Sequence, residues 1–260
     1  MRENRFRRVV ASGAVPIGHM IMEFGTRGIA LMLEGAGVDF VVYDMEHSGF
    51  EMDRVFDLLA WSKACSFTPM VRVPQGDYHF LARCMDAGAL GVMVGNVETP
   101  EQAGAIVASV KYPPQGKRGV GLGTAHNDYM MPNAADYFRE ANESGVVICQ
   151  IESGTGVANA EAIAAVDGVD CLWIGHFDLS ANLGIPAQFA SEIFQSAMRK
   201  TVDAARKHGK LLGIQPGNVD QATEWLAMGF NVISWGSDIG VYRGAMLAAV
   251  KQLREQSQIA

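Results

Sequence analysis

Charged and titratable side chains stand where several short apolar segments end. One segment runs into Asp44 and His47, and two others run into Glu152 and Asp178. Arg72 lies within a further apolar segment. Proteins use carboxylates, imidazoles and guanidinium groups to hold cations, to move protons and to bind anions. The sequence therefore predicts a catalytic site wherever the fold brings these segment ends together.

Glu152 and Asp178 follow consecutive apolar segments, which places two carboxylates at neighbouring strand ends. Two like charges held close together repel unless one is protonated or a cation lies between them. A hard divalent ion such as Mg²⁺ or Mn²⁺ accepts carboxylate oxygens and keeps positions for water and a substrate. Alternatively, each carboxylate caps the helix that follows it, because an acid is favoured in the first turn of a helix. The spacing alone leaves both interpretations open.

Arg72 and His47 each have a structural and a functional interpretation. A guanidinium in an apolar strand needs an anion beside it, because an unpaired buried charge is very costly. That anion is either an acid at the same edge of the sheet or the carboxylate or enolate oxygen of a substrate. His47 follows Asp44 and Glu46 and is a candidate general base, since the ordinary pKa of histidine is about 6.5. It could equally be a surface residue.

The elements that would position these groups repeat along the chain. Four times a helical pattern ends near a Gly and passes into an apolar run, at Gly37, Gly88, Gly168 and Gly229. Four further apolar runs lie between these, and the eight predicted strands are 15–22, 40–43, 69–73, 92–94, 146–151, 171–174, 211–215 and 232–235. Helical patterns separate the strands, including 52–64, 78–86, 101–110, 158–165 and 190–208.

This alternation predicts the α/β class and a single (β/α)8 TIM barrel that forms one domain over residues 1–260. An open Rossmann-like sheet is the alternative, but no GxGxxG sequence opens a helix after the first predicted strand. Residues 111–144, rich in Gly, Pro and Asn, form a long insertion before the fifth strand and are predicted to be a lid or a subunit contact. The Arg-rich first eight residues are interpreted as a solvated arm.

The composition excludes several classes of protein. The 260 residues carry 21 Lys and Arg against 28 Asp and Glu, a net charge of −7, which argues against binding to nucleic acid. No apolar run is long enough for a membrane span and no signal-like segment opens the chain, so we expect a cytoplasmic protein without a membrane partner. No Lys ends a predicted strand, which argues against a Schiff-base mechanism.

Five motifs resemble, in order, the signature blocks of the HpcH/HpaI aldolase family. They are YDMEHSGF at 43–50, PMVRVP at 69–74, KYPPQGKRGVG at 111–121, QIE at 150–152 and VDCLWIGHFDLS at 169–180. The match to the family covers essentially the whole chain. The resemblance implies a class II, metal-dependent aldolase that reversibly cleaves a 4-hydroxy-2-oxo acid to pyruvate and an aldehyde through a metal-stabilised enolate.

The resemblance also implies roles for particular residues. Glu152 and Asp178 correspond to the ligands of a divalent cation, Mg²⁺ or Mn²⁺ with Co²⁺ as a further candidate. The acid and base residues would be His47 with Asp44 and, from the helix after the third strand, Asp86. The residues that bind pyruvate or its enolate would be Arg72, Gln150, Gly175, Phe177 and Asp178.

The alternatives at the same site are a decarboxylase, an acyl-CoA lyase or a non-catalytic barrel that binds a keto acid. The resemblance further implies a homo-oligomer, a trimer or hexamer, in which the C-terminal residues 239–260 are exchanged between subunits. One departure concerns the substrate: this chain has Gly175-His176-Phe177 where the family usually has Gly-Pro before an Ala-Asp-Leu-Ser or similar block. A larger side chain there is expected to alter the pocket.

Overall fold

Eight parallel strands close into a barrel in the computed structural model, which describes residues 2–257. Each strand pairs with the next along the chain, and the last pairs with the first. The barrel predicted from the sequence is therefore confirmed, with every predicted strand in place. The strands are β1 Ile17–Ile21, β2 Phe40–Asp44, β3 Thr68–Val73, β4 Gly91–Val94, β5 Val146–Ile151, β6 Cys171–Ile174, β7 Leu211–Ile214 and β8 Val232–Ser237.

The helices surround this barrel. They are α1 Arg5–Ala11, α2 Ile29–Ala36, α3 Met52–Ser62, α4 Tyr78–Ala87, α5 Pro100–Val110, α6 Ala134–Ser144, α7 Gly154–Ala158, α8 Ala160–Ala164, α9 His176–Asn182, α10 Glu192–Lys207, α11 Val219–Met228 and α12 Asp238–Ser257. The helix predicted over 158–165 corresponds to α8, and a further short helix, α7, precedes it on the other side of Asn159. Asn159 leaves the helical path there and its side-chain amide donates to the carbonyl of Glu98.

The strands are buried on both faces, which explains why they read as continuous apolar runs. One set of side chains packs outward against the helices and the other fills the barrel. Glycines make room for large rings inside: a Cβ on Gly213 would lie 2.0 Å from the ring of Trp173, and one on Gly18 would lie 2.3 Å from that of Phe40. Trp173 thus crosses the interior and forms part of the floor of the cavity at the carboxyl ends of the strands.

The N-terminal segment is a helix that packs on the barrel, so its interpretation as a solvated arm is wrong. Asn4 caps α1, and Phe6 is buried with its ring edge-on to Phe40 at 5.4 Å. Arg5 and Arg7 form ion pairs at 2.9 Å with Asp39 and Asp170, each just before a strand. Arg5 and Arg7, which had suggested a solvated arm, therefore hold α1 against the amino end of the barrel through these ion pairs.

The insertion before β5 also lies at the amino end of the barrel. Lys111 donates to the carbonyl of Gly145, the residue before β5, at 2.6 Å. Arg118 pairs with Asp86 in the last turn of α4 at 2.5 Å. Because α4 runs antiparallel to the strands, this contact lies away from their carboxyl ends. The insertion is therefore not a lid over the mouth of its own barrel, and it contains α6.

The C-terminal helix α12 leaves apolar side chains in solvent, among them Val241, Tyr242, Met246 and Leu247. The exchanged segment predicted over 239–260 falls mostly on this helix, while residues 258–260 lie outside the described residues. No helix in the described chain, α12 included, is long and apolar enough to cross a membrane.

Replacing Phe6 with Ala tests whether α1 is part of the barrel. Removing a buried aromatic ring costs about 3 to 5 kcal/mol of the free energy of unfolding. We expect Phe6→Ala to lose about that much in denaturant titration at fixed protein concentration. The control is Arg8→Ala, whose side chain is largely exposed and whose loss should cost no more than about 1 kcal/mol. Equal, small effects of both changes would show that α1 is dispensable.

Candidate active site

A cavity of about 670 Å³ opens at the carboxyl ends of the strands. Six of the residues predicted from the sequence line it: His47, Arg72, Gln150, Gly175, Phe177 and Asp178. Glu152 lies against Gly175 in the wall and is only 4% exposed. The barrel therefore brings most of the predicted residues to one place, because parallel strands all present their carboxyl ends at the same rim.

Arg72 and Asp44 form a buried bidentate ion pair across β2 and β3, where they are register partners. Nε and Nη2 of Arg72 donate to the two carboxylate oxygens of Asp44, each at 2.7 Å. The same oxygens accept the backbone N–H groups of Glu46 and His47 at 3.0 and 3.2 Å. Asp44 therefore fixes the turn that carries His47, and its oxygens are engaged by Arg72 and by the backbone.

Glu46 belongs to the site although the sequence interpretation gave it no role. Its Oε2 lies 4.0 Å from Nε2 of His47 and 3.1 Å from Nη1 of Arg72, without the alignment of a hydrogen bond. Burial raises the pKa of Glu46, and the charges of Asp44 and Asp178 raise it further. The YDMEHSGF motif contained the signal, because Glu46 directly precedes His47.

Glu152 is held below the mouth by two donors. It accepts the backbone N–H of Asn96 and the side-chain amide of Gln150, both at 2.7 Å. Asn96 has a left-handed backbone, with φ 52°, at the turn that follows β4. A Cβ on Gly175 would lie 2.2 Å from Oε2 of Glu152, so only glycine fits beside this carboxylate.

Negative charge accumulates around Glu152. A Cβ on Gly95 would lie within 2.9 Å of both Oε1 of Glu46 and Oε1 of Glu152, so these carboxylates converge over Gly95. Burial raises the pKa of Glu152 to about 7, and the charges of Glu46 and Asp178 add to the shift. The buried Oε1 of Gln150 has no hydrogen-bond partner in the described chain.

The oxygen atoms of Glu152, Asp178 and Gln150 are of the kind that binds a hard cation. The alternative, in which the two carboxylates cap helices, agrees less well with the structure. The N-cap of α7 is Ser153, whose hydroxyl accepts from Gly156, and the N-cap of α9 is Gly175. Neither carboxylate is therefore an N-cap, although Asp178 lies in the first turn of α9, where an acid is favoured. No group of three or more His, Cys, Asp and Glu within residues 2–257 is arranged to hold a metal ion. Two carboxylates and an amide oxygen would leave the remaining positions to water and a substrate.

Asp86 is not brought to this cluster. It lies in the last turn of α4, at the amino end of the barrel, and pairs there with Arg118. His47 follows β2 at the carboxyl end. The expectation that Asp86 of the same chain assists His47 is therefore wrong. The helix after β3 places Asp86 at the end of the barrel opposite His47.

His176 and Phe177 form an aromatic group at the start of α9. The ring of His176 packs between those of Phe189 at 5.1 Å and Trp225 at 5.2 Å. Burial lowers the pKa of His176 to about 4, so the ring is neutral near pH 7. Phe177 is 61% exposed and turns toward the cavity.

Comparison with known proteins agrees with this geometry. The family model described as HpcH/HpaI aldolase/citrate lyase matches residues 27–245. The 5-keto-4-deoxy-D-glucarate aldolase of Klebsiella pneumoniae is 36% identical over 93% of this chain and 93% of its own. The chain belongs to the HpcH/HpaI aldolase/citrate lyase family. The crystal structure of an HpcH/HpaI aldolase from Desulfitobacterium hafniense superposes with a TM-score of 0.91 at 28% identity, covering 96% of both chains.

A second solved structure, an HpcH/HpaI aldolase/citrate lyase family protein from Burkholderia cenocepacia, has a TM-score of 0.90 at 30% identity and covers 97% of this chain and 100% of its own. The resemblance seen in the five sequence motifs is thereby confirmed. This HpcH/HpaI family member is a class II aldolase, a carbon–carbon lyase of a family that uses a divalent metal.

The raised pKa of Glu152 predicts how the stability of the metal-free aldolase changes with pH. The ordinary pKa of the group is 4.5 and the folded value is about 7, so the folded chain binds this proton more tightly than the unfolded chain. Stability should therefore fall as the pH rises from about 4.5 through about 7, by up to about 3 kcal/mol from this group. In denaturant titrations with EDTA, we expect the free energy of unfolding of Glu152→Gln to decrease less with rising pH, by the amount attributed to Glu152.

Added Mg²⁺ or Mn²⁺ should reduce the fall in the unmodified protein, because a cation would take the place of the lost proton. Identical pH profiles for the protein and for Glu152→Gln would show that Glu152 ionises normally.

Proposed function

We propose that this aldolase reversibly cleaves a 4-hydroxy-2-oxo acid to pyruvate and an aldehyde at the mouth of the barrel. The observation that supports this most strongly is the convergence of acidic groups around Glu152 next to an amide oxygen of Gln150 that lacks a partner. Such a site calls for a cation, and Arg72 beside it offers a positive charge for a substrate oxygen.

Glu152 and Asp178 are the residues that would hold the divalent ion, and the oxygen donors suit Mg²⁺ or Mn²⁺, with Co²⁺ as a further candidate. When bound, such an ion supplies Lewis-acid stabilisation of the negative charge that develops on the 2-oxo oxygen. Glu152 reaches this position as a buried carboxylate oriented by Asn96 and Gln150. Asp178 would bind it from the first turn of α9.

Arg72 and the start of α9 would bind the pyruvate half of the substrate. Burial opposes the charge of Arg72, but its hydrogen bonds with Asp44 and the nearby acids raise its pKa, so the guanidinium stays charged. It can share the negative charge of the enolate, which is stabilisation directed at the transition state. The backbone N–H groups of Phe177 and Asp178 lie in the first helical turn, where N–H groups lack helical acceptors and suit a carboxylate. Gly175, just before this turn, leaves the space that Glu152 and Gln150 occupy.

His47 would move the proton. In cleavage, the C4 hydroxyl gives its proton to Nε2 of His47, the electrons of that O–H bond form the aldehyde carbonyl, and those of the C3–C4 bond pass to the 2-oxo oxygen. The enolate of pyruvate then takes a proton at C3 from the imidazolium of His47, directly or through water, which returns His47 to its neutral form. Glu46 lies 4.0 Å from Nε2 and would stabilise the imidazolium formed in the first step. Asp44 would act as a positioning residue, because it bonds to the backbone N–H of His47.

The decarboxylase, the acyl-CoA lyase and the non-catalytic barrel are not favoured. Curated relatives at 35 to 36% identity over 93% of the chain are named as aldolases. Cytoplasmic localisation stays a prediction from the sequence.

We further propose that the aldolase is a homo-oligomer in which α12 packs on a neighbouring subunit. The exposed Val241, Met246 and Leu247 give this helix an apolar surface, of the kind that is buried in subunit interfaces. A trimer or a hexamer is the expected state.

Exchange of the methyl hydrogens of pyruvate in D₂O tests the proposed function without knowledge of the aldehyde. We expect exchange, followed by NMR, with Mg²⁺ or Mn²⁺, and a loss of about a thousandfold with EDTA, because Lewis-acid stabilisation is worth several kcal/mol. Glu152→Gln should show the same loss without rescue by metal. The control Glu192→Gln changes an exposed carboxylate and should keep full activity. Undiminished exchange after complete removal of metal would contradict the proposal.

Light scattering after size-exclusion chromatography tests the oligomer. We expect a mass of three or six times the 28.0 kDa chain. Leu247→Glu should reduce this mass, because a charge would be buried in the interface. The control Lys251→Glu, on the same helix and 78% exposed, should not. A monomer at micromolar concentration would contradict the proposed assembly.

A further inference from the structure

The seam between β1 and β8 is irregular where it reaches the mouth of the barrel. The register of the two strands shifts before Met20 pairs with Ser237, so β8 contains an extra residue there. Gly236 lies in this bulge with φ 58°, a left-handed backbone that favours glycine. A β-bulge redirects the residues that follow it. Asp238, the first residue of α12, thereby comes to lie beside the end of β1.

His19 of β1 holds the bulge from the neighbouring strand. Its Nδ1 lies 2.6 Å from the carbonyl oxygen of Trp235, and its side chain is buried. A carbonyl oxygen can only accept, so Nδ1 carries a proton and donates it to this bond. The bulge is therefore a fixed part of the fold.

Asp238 holds the segment that follows β1. The backbone N–H groups of residues 22–24 donate to its carboxylate at 3.1, 2.9 and 2.7 Å, and that of Ile239 donates at 2.9 Å. Hydrogen bonds to an ionised acceptor are stronger than those between neutral groups. The side chain of Asp238 is only 4% exposed. These contacts therefore lie within one chain and do not depend on what packs against the outer face of α12.

The segment after β1 in turn contacts the turn that carries His47. A Cβ on Gly25 would lie 2.8 Å from the ring of Phe50, so the backbone and this ring are in close contact. Phe50 belongs to the turn of His47, because its N–H donates to the hydroxyl of Ser48, which donates to the carbonyl of Asp44. Contacts therefore lead from the start of α12, through the segment after β1, to this turn.

We infer that Asp238 is a positioning residue for the aldolase reaction: it holds residues 22–25 against Phe50 and thereby fixes the position of His47 at the mouth. The inference rests on the proposed function, in which His47 moves the proton. A group that transfers a proton must be placed closely, and a shift of about 1 Å can slow a reaction on the order of a hundredfold. Loss of Asp238 should therefore slow proton transfer and leave the binding of pyruvate intact.

The kinetics of Asp238→Asn test the inference. The amide keeps the shape of the side chain but replaces one acceptor oxygen with a donor, so the segment after β1 loses part of its support. We expect kcat for exchange of the pyruvate hydrogens to fall at least about tenfold. KM for pyruvate should change less than about twofold, because Arg72 and the start of α9 would bind pyruvate.

Each kcat is divided by the number of Mn²⁺ ions bound per chain, measured by electron paramagnetic resonance, so that unfolded chains are not counted. The matched control is Asp220→Asn, which changes an exposed carboxylate in the first turn of α11 and should keep full kcat. An unchanged kcat in Asp238→Asn, or a rise in KM alone, would overturn the inference.

Gly25→Ala tests the contact with Phe50 and leaves Asp238 in place. The added methyl group would push the segment and the ring apart, so we expect kcat to fall about tenfold with little change in KM. The control is Gly28→Ala in the same segment, whose Cβ would meet only Met32, at an ordinary 3.7 Å. Equal kcat in both glycine variants would overturn the role of this contact.

Hydrogen–deuterium exchange of the backbone amides, followed by mass spectrometry, measures the positions directly. In Asp238→Asn we expect the amides of residues 22–24 to exchange at least about tenfold faster, because they lose a charged acceptor. The amides of residues 45–50 should also exchange faster. Protection of both segments equal to that in the unmodified protein would contradict the inference.

The exchange of pyruvate hydrogens by the unmodified protein separates the two proposals. If this exchange depends on metal and is equally fast in Asp238→Asn, the inference is overturned and the proposed function stands. Absence of the exchange with every metal would overturn the proposed function and the inference with it.

Discussion

Four carboxylates and one guanidinium meet at the mouth of this barrel, and the imbalance of charge governs the rest of the site. Arg72 neutralises Asp44 through two hydrogen bonds and lies 3.1 Å from Glu46. Glu152 and Asp178 remain without an ion pair in the described chain. Charge of one sign in a buried place is costly unless a proton or a cation shares it. The raised pKa of Glu152 means that a proton can neutralise part of this charge. A bound divalent cation would neutralise it instead.

The scaffold maintains this unfavourable arrangement by geometry. Gly95 and Gly175 give the carboxylates space that a Cβ would occupy. Asn96 and Gln150 orient Glu152, and its carboxylate cannot turn away without losing both bonds. The opposite end of the barrel has the reverse character, because Phe6 closes it with an apolar contact and the arginines of α1 pair with acids before the strands. Stabilising contacts thus lie at the amino end of the barrel, and closely spaced like charges lie at the carboxyl end.

Features that depend on residues close together in the sequence could be predicted, and features that depend on contacts between distant residues could not. All eight strands were predictable, because a strand covered on both faces reads as an apolar run and a Gly such as Gly229, with φ 119°, ends the helix before it. The helix α1 was not predictable, because only one of its side chains is buried. Its arginines form ion pairs with residues more than thirty positions away in the sequence. Asp86 does not approach His47 within one chain, because α4 runs from the carboxyl ends of the strands back to the amino end before it reaches this residue. The proximity of Glu46 to Arg72 depends on the turn after β2, which the sequence does not specify.

The junction between β6 and α9 shows how one part of a substrate can change while the other stays the same. Recognition of a carboxylate at this junction would depend on backbone N–H groups in the first turn of the helix, which any side chain leaves in place. The side chain of Phe177 is free to vary for the same reason, provided that Gly175 keeps its space beside Glu152. Under the proposed function, the pyruvate half would be held by backbone N–H groups and buried charges, and the aldehyde half would lie toward exposed side chains such as Phe177. Substrate range would then diverge through such side chains without disturbing the charge balance that the proposed cleavage needs.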